Sequence, residues 1–462
     1  MKIKLINNFG LLIYSGILVL LVISNLSCKK FLDAKPASKL DKMQPDYVQE
    51  LLDDYDTMNT GYPGDNEASS DSFYLLDAGY NGLSFFKDDQ DIYLWKSQAV
   101  KRTSTSVWTN PYKVVYNANL ALETLDAGSG SLDQQTINTL KGSALFFRAF
   151  ACFQVAQSYA KPYDPATANS DPGIPIRTST ALEVKSERGT VQQTYDKIIN
   201  DLKDALSLLP NTSFIKSRPN KTAAYAALAR TYLAMEDYTN AGKMADECLK
   251  LYSTLIDYNT ISKTSLTPFP RFNDEVIFQS TLLGGNSTAP NRAKIDTVLY
   301  TSYDANDLRK AIFFKTTSSG HNFSGNYSPA VSIAFFNGLA TDEVYLIRAE
   351  CYARAGNINS AMADLNTLMV KRWNKNVTYP TITAANADEA LRKILSERRK
   401  ELLFRGIRWS DLRRLNKDPR FQVSLSRTIA GNTYNLPPND LRYVLLIPQS
   451  VINNSELAQN PR

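Results

Sequence analysis

Two stretches of this chain carry the same spacing of small and aromatic side chains, and that spacing limits the fold more than any other feature. The first, TAAYAALARTYLAMEDYTNAGKMADECLKL, places Tyr225, Ala229, Tyr232, Tyr238, Ala241, Ala245 and Cys248. The second, TDEVYLIRAECYARAGNINSAMADLNTLMVKR, places Tyr345, Ala349, Tyr352, Gly356, Ile358, Ala361, Leu365 and Leu368. This is the pattern of a helix–turn–helix repeat of the tetratricopeptide type. Ala349 is small enough to let a second helix approach, and Gly356 suits the left-handed turn that ends the first helix. Ala229 and Ala349 are equivalent, so the copies lie 120 positions apart (349 − 229 = 120). A long insertion must separate them. Glu397–Leu415 adds a further helical pattern with an apolar seam at Leu402, Leu403, Ile407 and Leu412.

The rest of the sequence fits a large, mostly helical body. SVWTNPYKVVYNANLALETL and the run from Leu132 to Lys161 read as a long helical pair, broken at Gly128 and stopped by Pro162. Thr190 or Thr194 caps the next helix, whose stripe is Tyr195, Ile198, Leu202, Ala205 and Leu209. Helical repeats therefore occupy mainly 104–252 and 341–415. Pro45 opens a first short helix. Glu275–Ser280 and Tyr443–Ile447 read as short strands, and Pro448 can start a short helix. The segments 59–100 and 253–340 are rich in Gly, Asn, Asp and aromatics without clear periodicity, and long loops on a repeat scaffold tend to carry binding. Within them Tyr62, Tyr80, Phe85, Phe86 and Trp95 could face a ligand. The expected fold is mostly α: a tetratricopeptide-type scaffold with a loop-rich irregular part and a few short strands.

Composition excludes several chemistries. A net charge of +6 over 462 residues, with no basic stripe, does not support nucleic-acid binding. One histidine, His321, rules out a His-rich zinc site and leaves a triad no support. Cys152, Cys248 and Cys351 sit in helical patterns without CxxC spacing and read as small core thiols. Asp88, Asp89 and Asp91 lack a twelve-residue calcium loop around them. Glu397 and Glu401 share a helix face as a hydrolase pair would, but Arg398, Arg399, Lys400 and Arg405 surround them, which indicates an ion-pair network. Trp409, Asp411 and Arg414 read the same way, as packing and a charge pair. No phosphate loop or GxSxG motif is present, so no enzyme, metal or cofactor is expected.

The N-terminus is a targeting segment. Lys2 and Lys4 precede an apolar run from Phe9 to Ile23, followed by Leu26-Ser27-Cys28. This reads as a lipoprotein signal peptide over 1–27, with Cys28 becoming the lipidated N-terminus. Residues 28–43 then form a tether, and 44–462 a single body. Lys29 and Lys30 suit an anionic lipid surface.

In these pieces the chain resembles the SusD/RagB family of Bacteroidetes outer-membrane lipoproteins. The resemblance rests on Cys28–Pro36, Tyr116–Leu120, Arg148–Phe153 leading to Tyr159–Tyr163, and Asn273–Phe278. It continues through Glu343–Glu350, Glu397–Glu401, Arg408–Arg413, Ile447–Ser450 and Gln459–Pro461, in the family's order. The resemblance implies a non-catalytic nutrient-binding protein of the cell surface. Such a protein captures oligosaccharides, or sometimes peptides, and passes them to a SusC-like TonB-dependent outer-membrane transporter. A scaffold binding only proteins through its repeat surfaces is the alternative. Family sites are aromatic platforms in irregular loops, which by region points to Tyr80, Phe85 and Phe86 in one loop and Tyr300 and Tyr303 in another. Sugar C–H faces pack on flat rings while hydroxyls need polar partners, for which Asn81, Asp88, Asn291 and Arg292 are nearby in sequence.

Overall fold

A computed structural model describes residues 43–96, 106–128, 130–329 and 332–462. The leader 1–27, Cys28 and the tether up to residue 42 lie outside the described residues. The body is Pro45–Arg462. Its described helices of eight residues or more are α1 (Ser106–Ala127), α2 (Gln134–Tyr159), α3 (Val191–Leu208), α4 (Lys221–Ala234), α5 (Tyr238–Leu251), α6 (Thr341–Arg354), α7 (Ile358–Met369), α8 (Ala387–Glu401) and α9 (Arg408–Leu415).

Local sequence explains the boundaries. Asp133, Asn220, Asp237, Asn357 and Asn386 each accept a backbone N–H of the following first turn, satisfying donors that a helix start leaves open. Thr190, not Thr194, caps α3, in a reciprocal box with Gln193. Gly356 takes φ +77° after α6, as its place in the repeat requires. The matching position after α4 is Glu236, held at φ +62° despite its side chain.

The helices pack in sequence: α1 on α2, α2 on α3, α3 on α4 and α4 on α5. The stack then jumps the insertion, with α5 on α6, α6 on α7 and α8, and α7 on α8. The two repeat copies are thus spatial neighbours, and the 253–340 segment loops out from between them. Contact between α5 and α6 is close: a Cβ on Gly242 would lie 3.0 Å from the Cβ of Cys351. Ala229 and Ala349 are both fully buried, and Ala349 packs in a cluster with Leu346, Ala361, Leu365, Leu368 and Ile394. An Ala349→Leu protein is expected to lose about 1–3 kcal/mol of unfolding free energy, read by urea denaturation, because this core has no room for three more carbons. Unchanged stability would mean the helices are not in close contact there.

Charges tie successive helices. Arg148 of α2 donates to Asn119 of α1 and to both oxygens of Asp201 on α3. Arg230 of α4 pairs with Glu343 of α6 across the two copies. Arg348 of α6 bridges Asp246 of α5 and Asp364 of α7. The pattern read over Glu397–Leu415 as one helical stretch is two helices. Leu402–Ile407 forms a turn with Phe404 at φ +54° and Gly406 at φ +69°. Tyr443–Ile447 is no strand: Leu441–Tyr443 is a short 3₁₀ turn, and the apolar run that follows is buried without a strand partner, with Gln449–Asn453 helical after Pro448.

The irregular segments are stitched to each other. Tyr62–Pro63 runs parallel to Leu282–Leu283, which pairs on its other side with Ala334–Phe336. Phe73–Tyr74 pairs with Lys294–Ile295. The expected strand at Glu275–Ser280 is present as Val276–Phe278, paired with Leu339–Ala340. Two further pieces read as loop hold short elements, the helix Thr297–Thr301 and a hairpin of Phe314–Thr317 with Gly320–Phe323. The loop-rich segments 59–100 and 253–340 therefore form one surface beside the helical stack. Among the described residues, no helix is long and apolar enough to cross a membrane.

Candidate functional site

Where the two loop segments meet they form a cleft of about 330 Å³. One wall starts with the buried anchor Leu83. A turn closed by Phe86 N–H donating to the Leu83 carbonyl (2.7 Å) then projects Phe85 outward, 95% exposed, beside Phe86, 44% exposed. The short helix Lys87–Tyr93 follows and contributes Lys87, Asp88 and Asp89. The opposite wall is Leu283-Gly284-Gly285-Asn286 with Ile333, and Asp65 and Val107 line the cleft as well.

Asp89 fixes the two walls. Its Oδ2 accepts from the backbone N–H and the side-chain amide of Asn286, both at 2.8 Å. The wall approaches so tightly that a Cβ on Gly285 would meet Asp89 Oδ1 at 2.6 Å. The glycine pair is thus required by space. Two flat apolar rings stand over an edge of carboxylates and an amide, which can pack a C–H face and hydrogen-bond hydroxyls.

Behind the cleft, the short helix Asp65–Ser69 is entirely buried. Its Glu67 accepts from the Gly406 N–H (2.9 Å) and from the Ser70 hydroxyl. Burial pushes its carboxyl up to about 7, against the lowering effect of the Gly406 bond. The unfolded chain gives up this proton near the ordinary carboxylate value and the folded chain only near 7. Ionised Glu67 therefore erodes stability as pH rises between those values. Glu67→Gln is expected to leave stability unchanged near pH 4 and to raise it by about 1–3 kcal/mol at pH 8. Urea unfolding at the two pH values measures the difference, and a variant no better at pH 8 would contradict the assignment.

Of the seven aromatic residues expected to face a ligand, only Phe85 and Phe86 line the cleft, and Tyr62 and Trp95 are buried in the core. Tyr80 sits on the helix Asp77–Asn81, its ring centroid 6.1 Å from that of Tyr93, and does not line it. Tyr300 lies on the helix Thr297–Thr301 with one face covered by the His321 imidazole, centroids 3.4 Å apart and planes 12° from parallel. Tyr303 is a correction: it is 2% exposed, its hydroxyl donates to the Lys400 carbonyl, and its ring packs edge-on to Phe314, so it offers no face to a ligand. Asp88 lines the cleft, whereas Arg292 flanks Gly79 and Gly82 beside Tyr80. Sequence reasoning missed Asn286 and the glycine pair as the second wall; the adjacent glycines before an asparagine were the available signal.

The residues that looked catalytic are structural. Glu397 and Glu401 receive Arg309, while Lys400 pairs with Glu397 and Arg372 with Glu401. Burial alone would raise both carboxyls, but these cations hold them below the ordinary range. Neither lines the cleft. Asp88, Asp89 and Asp91 do not converge: Asp89 binds Asn286, and Asp91 pairs with Lys96. Among the described residues, the acidic side chains that do converge are Glu275, Asp342 and Glu401, and each is paired with arginine.

A family model described as "Starch-binding associating with outer membrane", of the SusD-like group, matches residues 30–233. The SusD family model matches residues 341–462, so the two matches together span well over half the chain and take in the second repeat copy and the start of the first. The chain belongs to the SusD/RagB family. This SusD-type protein is 24% identical over 424 residues to SusD-like protein P2 of Formosa agariphila, covering 77% of this chain and 80% of that one. Its fold matches a SusD superfamily protein from Bacteroides thetaiotaomicron with a TM-score of 0.73 at 22% identity, covering 91% of this chain and all (100%) of that one. It also matches the surface glycan-binding protein A from Bacteroides uniformis, with a TM-score of 0.67 at 16% identity, covering 90% of this chain and 99% of that one.

Proposed function

We propose that this SusD-type protein is a non-catalytic, lipid-anchored receptor of the outer-membrane surface. It captures oligosaccharides in the Phe85–Phe86 cleft and passes them to a SusC-type TonB-dependent transporter. The observation that carries the reading is a pair of solvent-facing phenylalanine rings set over a preformed edge of Asp88, Asp89 and Asn286. Surface glycan binding in the Bacteroides uniformis neighbour and the starch-binding description of the matched family model support a carbohydrate ligand. Cys28 supplies the anchor, and the transporter follows from family membership.

Isothermal titration of the body 44–462 against neutral oligosaccharides and a matched peptide panel tests the ligand class. Saturable binding of an oligosaccharide with no change in its chain length is expected. Binding confined to peptides, or cleavage of the sugar, would contradict it. Fractionation of a Cys28→Ala protein tests the anchor: the variant is expected in the soluble fraction when its transporter is absent.

A further inference from the structure

The ends of α2 and α9 and the 3₁₀ turn Leu441–Tyr443 enclose a pocket of about 440 Å³. It shares no lining residue with the cleft. Small-molecule sites commonly measure about 300–1,000 Å³. Three donors converge here. Arg413, Asn416 and Tyr443 line the pocket and are each 3% exposed or less. Arg413 Nε, Asn416 Nδ2 and the Tyr443 hydroxyl find no hydrogen-bond partner among the described residues. The Asn416 amide cannot turn its oxygen round to serve them, because Oδ1 accepts from Val423 N–H at 3.0 Å. The amide lies beside the Tyr443 hydroxyl, whose pKa burial raises and the amide lowers. Even with one amide N–H turned to that oxygen, the second N–H, the tyrosine O–H and the arginine Nε–H stay open. Buried donors without acceptors are costly, and a fold seldom gathers three.

Charge points the same way. α9 carries three arginines, and two of them pair with carboxylates, Arg408 with Asp71 and Arg414 with Glu350. Arg413 has no such partner among the described residues. Its Nη1 and Nη2 donate to the Gln157 and Ala160 carbonyls at the end of α2, where the helix dipole offsets about half a charge. Burial pulls the guanidinium down to about 10, with only the Tyr195 hydroxyl acting against it. The other lining cations are engaged, Lys161 by Asp171 and Lys417 by Glu236. The lining acids stand partly in water. Asp171 and Asp440 hold Lys161 and Arg442, and Asp164 accepts from Ala166 N–H at 2.9 Å.

We infer that this pocket binds a small organic carboxylate, held by Arg413 Nε, Asn416 Nδ2 and the Tyr443 hydroxyl, with its body against Pro162, Leu441 and Val444. A carboxylate supplies both the missing charge and enough acceptor positions for all three donors. Isothermal titration of the body 44–462 with acetate, glutamate and glucuronate, beside glucose and inorganic phosphate, tests it. Saturable binding of at least one carboxylate is expected, with weaker binding of phosphate and none of glucose. Tyr443→Phe keeps the ring stacked on Trp409 and removes one hydroxyl. That variant is expected to keep its melting temperature and to bind the carboxylate at least about tenfold more weakly. The Phe85→Ala, Phe86→Ala protein is expected to bind it unchanged, which separates this pocket from the glycan cleft. Silence with all three carboxylates, phosphate bound as tightly, full affinity in the Tyr443→Phe protein, or loss in the double phenylalanine variant each overturns the inference.

Discussion

Replacing Arg372 with methionine lowers the unfolding free energy by about 3–5 kcal/mol at pH 8, the expected cost of breaking a buried ion pair by removing one partner. Arg372 is fully buried on the turn after α7. Its Nε donates to Glu401 (2.8 Å), its Nη2 to Glu275 (2.8 Å) and its Nη1 to the Ile256 carbonyl (2.9 Å). Its guanidinium lies 4.0 Å from the centre of the Tyr258 ring. One side chain therefore joins α8, the start of the Val276 strand and the loop after α5. Methionine keeps much of the volume and none of the charge, leaving Glu275 without its cation beside Glu401 and Asp342, which keep Arg309 and Arg405. All three carboxyl groups lie within 4.8 Å of one another. The deficit should shrink towards pH 5. Losing the guanidinium raises the folded-state pKa of Glu275 and Asp342 further above their unfolded values and lifts that of Glu401, now held below the ordinary range, so the variant regains stability as they take up protons. Urea unfolding followed by circular dichroism at pH 8 and pH 5 reads both effects. A loss below about 1 kcal/mol at pH 8 would mean that the network does not hold the scaffold together.

The second large effect is on binding. Phe85→Ala with Phe86→Ala is expected to weaken oligosaccharide affinity by at least about tenfold, or about 1.4 kcal/mol, with the melting temperature unchanged. The rings stand in solvent at the cleft mouth, so truncating them opens no core cavity. Tyr300→Ala is the matched control, since His321 already covers one of its faces and it does not line the cleft. Titration of the three proteins separates the outcomes. Equal loss in the Tyr300 variant would move the site to the other loop, and an unaffected double variant would remove it from the cleft.

The helical scaffold was legible because its signal is local. Ala229, Ala349 and Gly356 repeat at places fixed by how two helices touch, and that spacing survives a 462-residue context. The adjacency of the two copies was not legible, because it depends on an insertion that folds to the side and leaves α5 free to meet α6. Likewise, Glu397 and Glu401 could be read as ion-paired from their basic neighbours. Their principal partners, Arg309 on the short helix Leu308–Ile312 and Arg372 on the turn after α7, arrive from elsewhere in the chain. The loop surface defeats pattern reading for another reason. Its strands are two to four residues long, too short for alternation to show, and an apolar run such as Tyr443–Ile447 can be buried without pairing. Of the site, the exposed rings were legible as loop aromatics. Which of them point outward depends on turns such as Leu83–Phe86, and Tyr303 was lost to the core through a bond to a helix carbonyl far along the chain.

The most direct test of the cleft is a crystal structure of the body 44–462 with the tightest-binding oligosaccharide from the titration panel. A sugar ring lying against Phe85 or Phe86, with its hydroxyls bonded to Asp88 or Asn286, is the expected result. A sugar seated on Tyr300 and His321 or along the helical stack, with the cleft vacant, would contradict it.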